Sequence, residues 1–286
     1  MAIGKIENCC LKIEYLTDTL RIVGITPFNG SNILADLSDF APISTPYGDF
    51  EFKGGHRLWH SPESMPRTYV PDSNELIIQK NERSVVLETP FEPITGIRKR
   101  IEIEIDPIEP RAVITHSLIN DTIWPVELAP WTITQFRPGG IVIMPMPLGD
   151  AASLLPNRQL CFWPYAKIND SRLVLGDDYC FFKGEPINQP FKMGYFNPHG
   201  WLGYYLNGLL FTKKFGAISN LQYPDMNCNA EVYGIDKFVE LESLAPMTIL
   251  QPSGIVTHQE IWEVSEGLEK LPTTVRAKIV SLQDEK

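Results

Sequence analysis

Apolar and polar residues alternate with a period of two along most of this chain. In the stretch 98–106 (RKRIEIEID), Ile101, Ile103 and Ile105 fall on one face and Glu102, Glu104 and Asp106 on the other, the pattern of a half-buried β-strand. The same reading predicts strands over 10–15, 20–25, 75–79, 84–89, 112–120, 126–136 and 140–144. It predicts further strands over 172–175, 201–206, 209–214, 231–233, 237–244, 247–250 and 255–264. Turn residues separate them, as at Asn29–Gly30, Pro138–Gly139, Gly176–Asp177 and Asn207–Gly208. Helical periodicity is confined to short turns at 73–76 and 266–271. About fourteen strands without crossover helices predict an all-β fold, a large antiparallel β-sandwich. The expected organisation is a single domain over 1–286, with a core over about 10–265 and a C-terminal tail over 266–286. Residues 41–73 break the pattern: they are irregular and rich in Pro, Gly, His, Arg and Trp. A loop of that length with that aromatic content is expected to be functional rather than disordered.

Composition narrows the partners. The 286 residues are 43% hydrophobic and 21% charged, which is ordinary for a globular domain. A net charge of −10 repels phosphate backbones and anionic lipid, so nucleic acid and membrane are not expected partners, and a small molecule is. Charges near the N-terminus interrupt what a secretion signal would need, and no run reaches the length of a spanning helix. Cys9, Cys10, Cys161, Cys180 and Cys228 are odd in number and widely spaced, giving neither a disulfide framework nor a CxxC pair. A cytoplasmic location is expected. Nothing in the pattern calls for a cofactor, and the sequence leaves the oligomeric state open.

The sharpest chemical pattern is KFVELESLAP, 237–246. On a strand, Glu240 and Glu242 share a face about 7 Å apart, where two carboxylates push one pKa upward and suit it to acid/base work. The alternative is a solvated strand face. A second pattern, GGHRLWHSPE over 54–63, gathers His56, Arg57, Trp59, His60 and Glu63. That mixture of an aromatic face with a few polar groups suits a sugar. Two other readings stay open there: His56, His60 and Glu63 as metal ligands, or a loop pinned into the core by Trp59. A third pattern, YPDMNCNAEVYG over 223–234, brings Tyr223, Asp225 and Glu231 to a turn and the strand after it. Lys192, His199 and Lys213 lie in or beside an aromatic stretch, and Trp131 lies in LAPWTITQF. His116 shares a strand face with Ile114 and Leu118, which predicts a core histidine.

Taken in order, VITHSLINDTIWPVELAP, GGHRLWHSPE and KFVELESLAPMTILQPSG followed by VTHQEIWEV resemble segments of the galactose-mutarotase-like superfamily, which includes the aldose 1-epimerases. GGHRLW…PE is most similar to an uncharacterised bacterial branch of it. The resemblance covers roughly residues 10–265 and implies a sugar cleft that interconverts anomers by proton transfer, without a cofactor. By position it implies Glu242 as the base and Arg57 as the arginine that holds the sugar. Trp59 and Trp131 would offer stacking faces, with Glu240, Asp225, Lys213, Tyr223, Glu231, His60 and Glu63 completing the lining. The family's general acid is a histidine opening the strand after the Asn hairpin, and Pro130–Trp131 stand there instead. His56, with His60 and His199 as alternatives, is the expected replacement. A non-catalytic sugar-binding module is the competing reading.

Overall fold

The alternating strands pair into two antiparallel ten-stranded sheets in a computed structural model that describes residues 2–28, 30–72 and 75–284. The front sheet runs, in spatial order, Ile3–Glu7, Leu11–Leu16, Ile22–Pro27, His56–Ser61, Val126–Phe136, Val239–Leu244, Ala230–Gly234, Phe191–Tyr195 and Cys161–Phe162. Thr248–Leu250 pairs with the start of the Val126–Phe136 strand. The back sheet runs Leu173–Val174, Tyr179–Lys183, Ile141–Pro145, Trp201–Leu206, Leu209–Phe215, Ile255–Glu266, Arg111–Asn120, Ile97–Ile105, Ser84–Glu88 and Ile77–Lys80. One face of each sheet meets the other. Leu58, Val232 and Leu241 from the front pack in one cluster with Ile103, Ile114 and Phe211 from the back, which accounts for the strict alternation of strands such as Ile97–Ile105.

Turn chemistry sets the connections. Asn207 and Gly208 both adopt left-handed backbone, φ 50° and 85°, and close the Leu206–Leu209 hairpin, as a two-residue turn requires. Asn120 is fully buried. Its Nδ2 donates to the carbonyls of Trp124 and Leu250, and its Oδ1 accepts from the Thr122 amide. Of the predicted turn at 29–30, Asn29 lies outside the described residues, as do Ser73 and Asn74 of the turn at 73–76. Glu75 and Leu76 are not helical.

Two expectations are corrected. Residues 41–73 are not one loop, because His56–Ser61 is a strand of the front sheet between Ile22–Pro27 and Val126–Phe136. All six of its residues are buried, so it carries no in/out alternation to read. Gly54 and Gly55 deliver it. Their φ values are 78° and 71°, and a Cβ would meet the Ala35 carbonyl oxygen at 2.1 Å or that of Ile22 at 2.1 Å. The C-terminal segment is likewise not a tail. Residues 266–271 form no helix, and Thr273–Asp284 does. Val275, Ile279 and Leu282 bury against Ile141, Phe181 and Leu210 of the back sheet. That stripe is one residue wide, three residues long and flanked by Arg276 and Lys278, which is why it read weakly. Among the described residues, no helix is long and apolar enough to cross a membrane.

Candidate functional site

Strand register builds the site on the outer face of the front sheet. Ile133 lies opposite Arg57 on one side and Glu242 on the other, and Glu242 lies opposite Glu231. One row along, Gln135 lies opposite Glu240, Glu240 opposite Tyr233, and Tyr233 opposite Lys192. Trp59 and Trp131 pair in the row on the other side. Because side chains alternate across a strand, these residues share one face. Trp59, Trp131, Ile133, Leu244 and Phe50 form an apolar cluster there, separate from the inter-sheet core.

A cleft of about 420 Å³ opens over this face, lined by Arg57, Glu63, Lys192 and Glu240 and walled by aromatic rings that include Trp59, Tyr69, Trp131, Trp163, Tyr165 and Tyr233. Its volume and its few convergent polar groups are those of a small-molecule pocket. Glu240 Oε1 accepts from Gln135 Nε2 at 2.9 Å and from Arg57 Nη2 at 3.2 Å, and Arg57 stacks 4.2 Å over the Trp59 ring. Burial pushes the Glu240 carboxyl up to about 7; Arg57 opposes the shift and the Glu242 charge adds to it.

Lys192 joins the cleft to a second, buried charged layer. Lys192 Nζ sits 2.8 Å from Glu231 Oε2 and 2.9 Å from Glu242 Oε2. It also lies 4.7 Å from the Trp131 ring centre and 4.6 Å from that of Trp163, a cation held between two indoles. Burial works against the ammonium, but Glu231 and Glu242 more than offset it and hold Lys192 well above its ordinary value. Glu242 is fully buried. Its Oε2 also accepts from the Trp131 indole at 2.7 Å, while Oε1 has no hydrogen-bond partner among the described residues. Burial drives Glu231 well up against the pull of Lys192, and Glu242 and Asp225 reinforce the rise. Asp225 borders this group and is itself raised by burial. Asp225, Met226 and Asn227 are consecutive left-handed residues, φ 49°, 61° and 73°, a strained conformation for non-glycine residues.

Arg57, Trp59, Glu63, Trp131 and Glu240 thus converge on the cleft, with Glu231 and Glu242 behind it on Lys192, while Asp225 lines a separate pocket beside Glu231. The remaining residues singled out in the sequence lie elsewhere. His56 points into the space between the sheets. Its Nδ1 meets Thr134 Oγ1 at 2.8 Å and its Nε2 meets His116 Nε2 at 2.7 Å. His116 Nδ1 must donate to the His258 carbonyl at 3.0 Å, so its Nε2 accepts from His56, and His56 Nδ1 accepts from Thr134. His60 shares that inward face and is buried, with neither ring nitrogen hydrogen-bonded among the described residues. Lys213 is fully buried there too, 2.9 Å from Glu260. Tyr223 turns its hydroxyl to accept from the Ile218 amide at 2.9 Å. His199 Nε2 donates to the Met146 carbonyl at 3.0 Å. The physical reason is alternation: on His56–Ser61 Arg57 and Trp59 reach the cleft, and His56 and His60 on either side of them face inward with Leu58.

His56, His60 and Glu63 therefore do not converge on a metal. His56, His116 and Glu260 do bring potential ligand atoms within 4.8 Å of one another. Lys213 already occupies that carboxylate, and the imidazoles satisfy each other. The sequence reading missed Gln135, Trp163, Tyr165, Tyr233 and Tyr69 and named Lys192 only as part of an aromatic stretch. Lys192 had a signal: a lysine between apolar residues in FKMGY, buried on a paired strand, needs a carboxylate partner.

Comparison with solved structures settles the architecture. A galactose mutarotase-like protein from Lactobacillus casei superposes with a TM-score of 0.62 at 9% identity, covering 92% of this chain and 100% of that one. The chain has the galactose mutarotase-like fold. A galactose mutarotase related enzyme from Lactobacillus acidophilus gives 0.55 at 7% identity, with 95% and 100% coverage. A TPR-domain containing protein from Parabacteroides distasonis gives 0.61 at 14% identity, with 93% of this chain matched to 48% of that one. No family model and no curated protein sequence matches the chain. In this mutarotase-like sandwich the charged cleft lies on the front sheet, with Trp131 hydrogen-bonded to Glu242.

Proposed function

We propose that the cleft binds a free aldose and exchanges its anomers by proton transfer, with Glu240 as the group that takes and returns the proton. The observation that carries this reading is a buried carboxyl lining an aromatic-walled cleft and oriented by Gln135 and Arg57; burial raises it to about 7, the value at which one group serves as base and acid in neutral solution. The aromatic walls supply faces for a pyranose ring. Arg57 holds the Glu240 carboxylate in one orientation. In the forward step Glu240 takes the anomeric hydroxyl proton, the bond from C1 to the ring oxygen breaks, and a water gives the ring oxygen a proton and regains one from Glu240, while the Lys192 ammonium stabilises the developing charge. Rotation about the bond from C1 to C2 and reclosure give the other anomer. Glu242, with Oε2 engaged by Trp131 and Lys192, acts in this reading as a positioning residue for Lys192.

A second reading, sugar binding without turnover, is supported by that same engagement of Glu242, the position at which the family resemblance implies the base. Anomer exchange of a panel of free aldoses, followed by NMR with wild type, Glu240→Gln and Glu242→Gln, separates the two. The first reading expects exchange above background that disappears in Glu240→Gln with binding retained. Binding of a sugar with no exchange in the wild type selects the second. Absence of both binding and exchange for every sugar removes the cleft as a sugar site.

A further inference from the structure

We infer that the cleft selects a positively charged sugar, an aldose bearing a free amino group, over neutral and anionic ones. The inference rests on the cleft being a sugar site and names the class of sugar. Among the described residues, the cleft and the layer behind it hold Glu63, Glu231, Glu240 and Glu242, with Asp225 beside Glu231, but only Arg57 and Lys192 as cations. Arg57 is committed to Glu240, and Lys192 to Glu231 and Glu242. Among the described residues Glu63 has a neutral donor, the Tyr69 hydroxyl, and Glu242 Oε1 has none. The site is short of positive charge.

Burial raises the Glu240, Glu231 and Asp225 carboxyls, and the nearby Glu242 charge adds to each rise. A ligand ammonium supplies the missing charge directly. It would enter against aromatic faces at the Glu63 end of the cleft, where Tyr69 and Tyr165 offer rings of the kind that already flank Lys192. A phosphate or uronate would instead add negative charge, and the cations it would need are elsewhere. Lys213 lies between the sheets on Glu260, and Arg67 donates to the Pro62 carbonyl.

The test is a set of calorimetric titrations at a pH where the sugar amine is protonated. Galactosamine and glucosamine are compared with the parent hexoses, the N-acetyl forms and the hexose 6-phosphates, at low and at high salt. The inference expects an amino sugar to bind at least about tenfold tighter than its parent and its N-acetyl form, as a charge partly screened from water should. High salt and Glu63→Gln, a change at an exposed position, should each shrink that advantage. A neutral hexose binding as tightly as its amino form, or a phosphate binding tightest, overturns the inference and leaves the sugar site standing. No binding by any of these sugars overturns the inference together with the site.

Discussion

Replacing Lys213 by Met should cost the fold about 3–5 kcal/mol, the price of leaving a buried charge without its partner. Lys213 Nζ and Glu260 Oε1 lie 2.9 Å apart and neither side chain is exposed. Glu260 also accepts from Ser243 Oγ and from the Trp262 indole, both at 2.7 Å, and from Thr132 Oγ1. These donors hold the carboxylate ionised: burial pushes it up, but Lys213 outweighs that and the carboxyl stays well below its ordinary value. Methionine keeps the apolar stem and removes the charge, so the loss isolates electrostatics from packing. Glu260→Gln on the same background removes the stranded charge and should bring the deficit back to about 1–2 kcal/mol, since a neutral buried set is often as stable as an ion pair. Urea titrations at neutral pH, read by the fluorescence of the 6 tryptophans, give the midpoint shift at constant slope. A single-variant loss under about 1 kcal/mol, or a double variant as unstable as the sum of its parts, would refute the reasoning. The result bears on the cleft because Thr132 and Ser243 alternate with Trp131 and Glu242 on the same strands.

Three further outcomes are expected. Burial depresses His116 to about 4, His258 to about 3 and His56 well below its ordinary 6.5, so the unfolded chain binds more protons below that value. Stability should therefore fall as pH drops from 6.5 toward 4. Glu240 works oppositely between 4.5 and about 7, because there the folded state holds the extra proton. Glu240→Gln should therefore steepen the acid loss of urea midpoints in that window, and parallel profiles would count against it. Gly194→Ala should destabilise by about 1–3 kcal/mol through overpacking, because a Cβ there would lie 2.8 Å from Cys228 Sγ and 3.1 Å from Glu231 Cγ; an unchanged melting temperature would contradict that. Trp131→Phe removes a donor from a carboxylate already short of one and should cost about 1–3 kcal/mol in urea unfolding, with a neutral result assigning the Glu242 charge to Lys192 alone.

The sequence by itself determined the fold class, because period-two alternation in strands such as Ile97–Ile105 follows from one face meeting a core. Spacing of two is local information and joined only Glu240 to Glu242; Arg57, Trp59 and Trp131 were brought to the same expected cleft by the family resemblance. Where burial lies on both faces, as along His56–Ser61, alternation vanishes and the strand read as loop. The C-terminal helix was missed because its apolar stripe makes sense only against Ile141, Phe181 and Leu210. Which carboxylate faces the cleft was a tertiary decision. Glu240 and Glu242 are equivalent in the strand pattern, and only side chains reaching across from neighbouring strands, Arg57 and Lys192 each from the other's row, put Gln135 and Arg57 on one and Trp131 and Lys192 on the other. The partners of Glu242 come from strands 50 and 111 residues away, a separation that no local pattern carries.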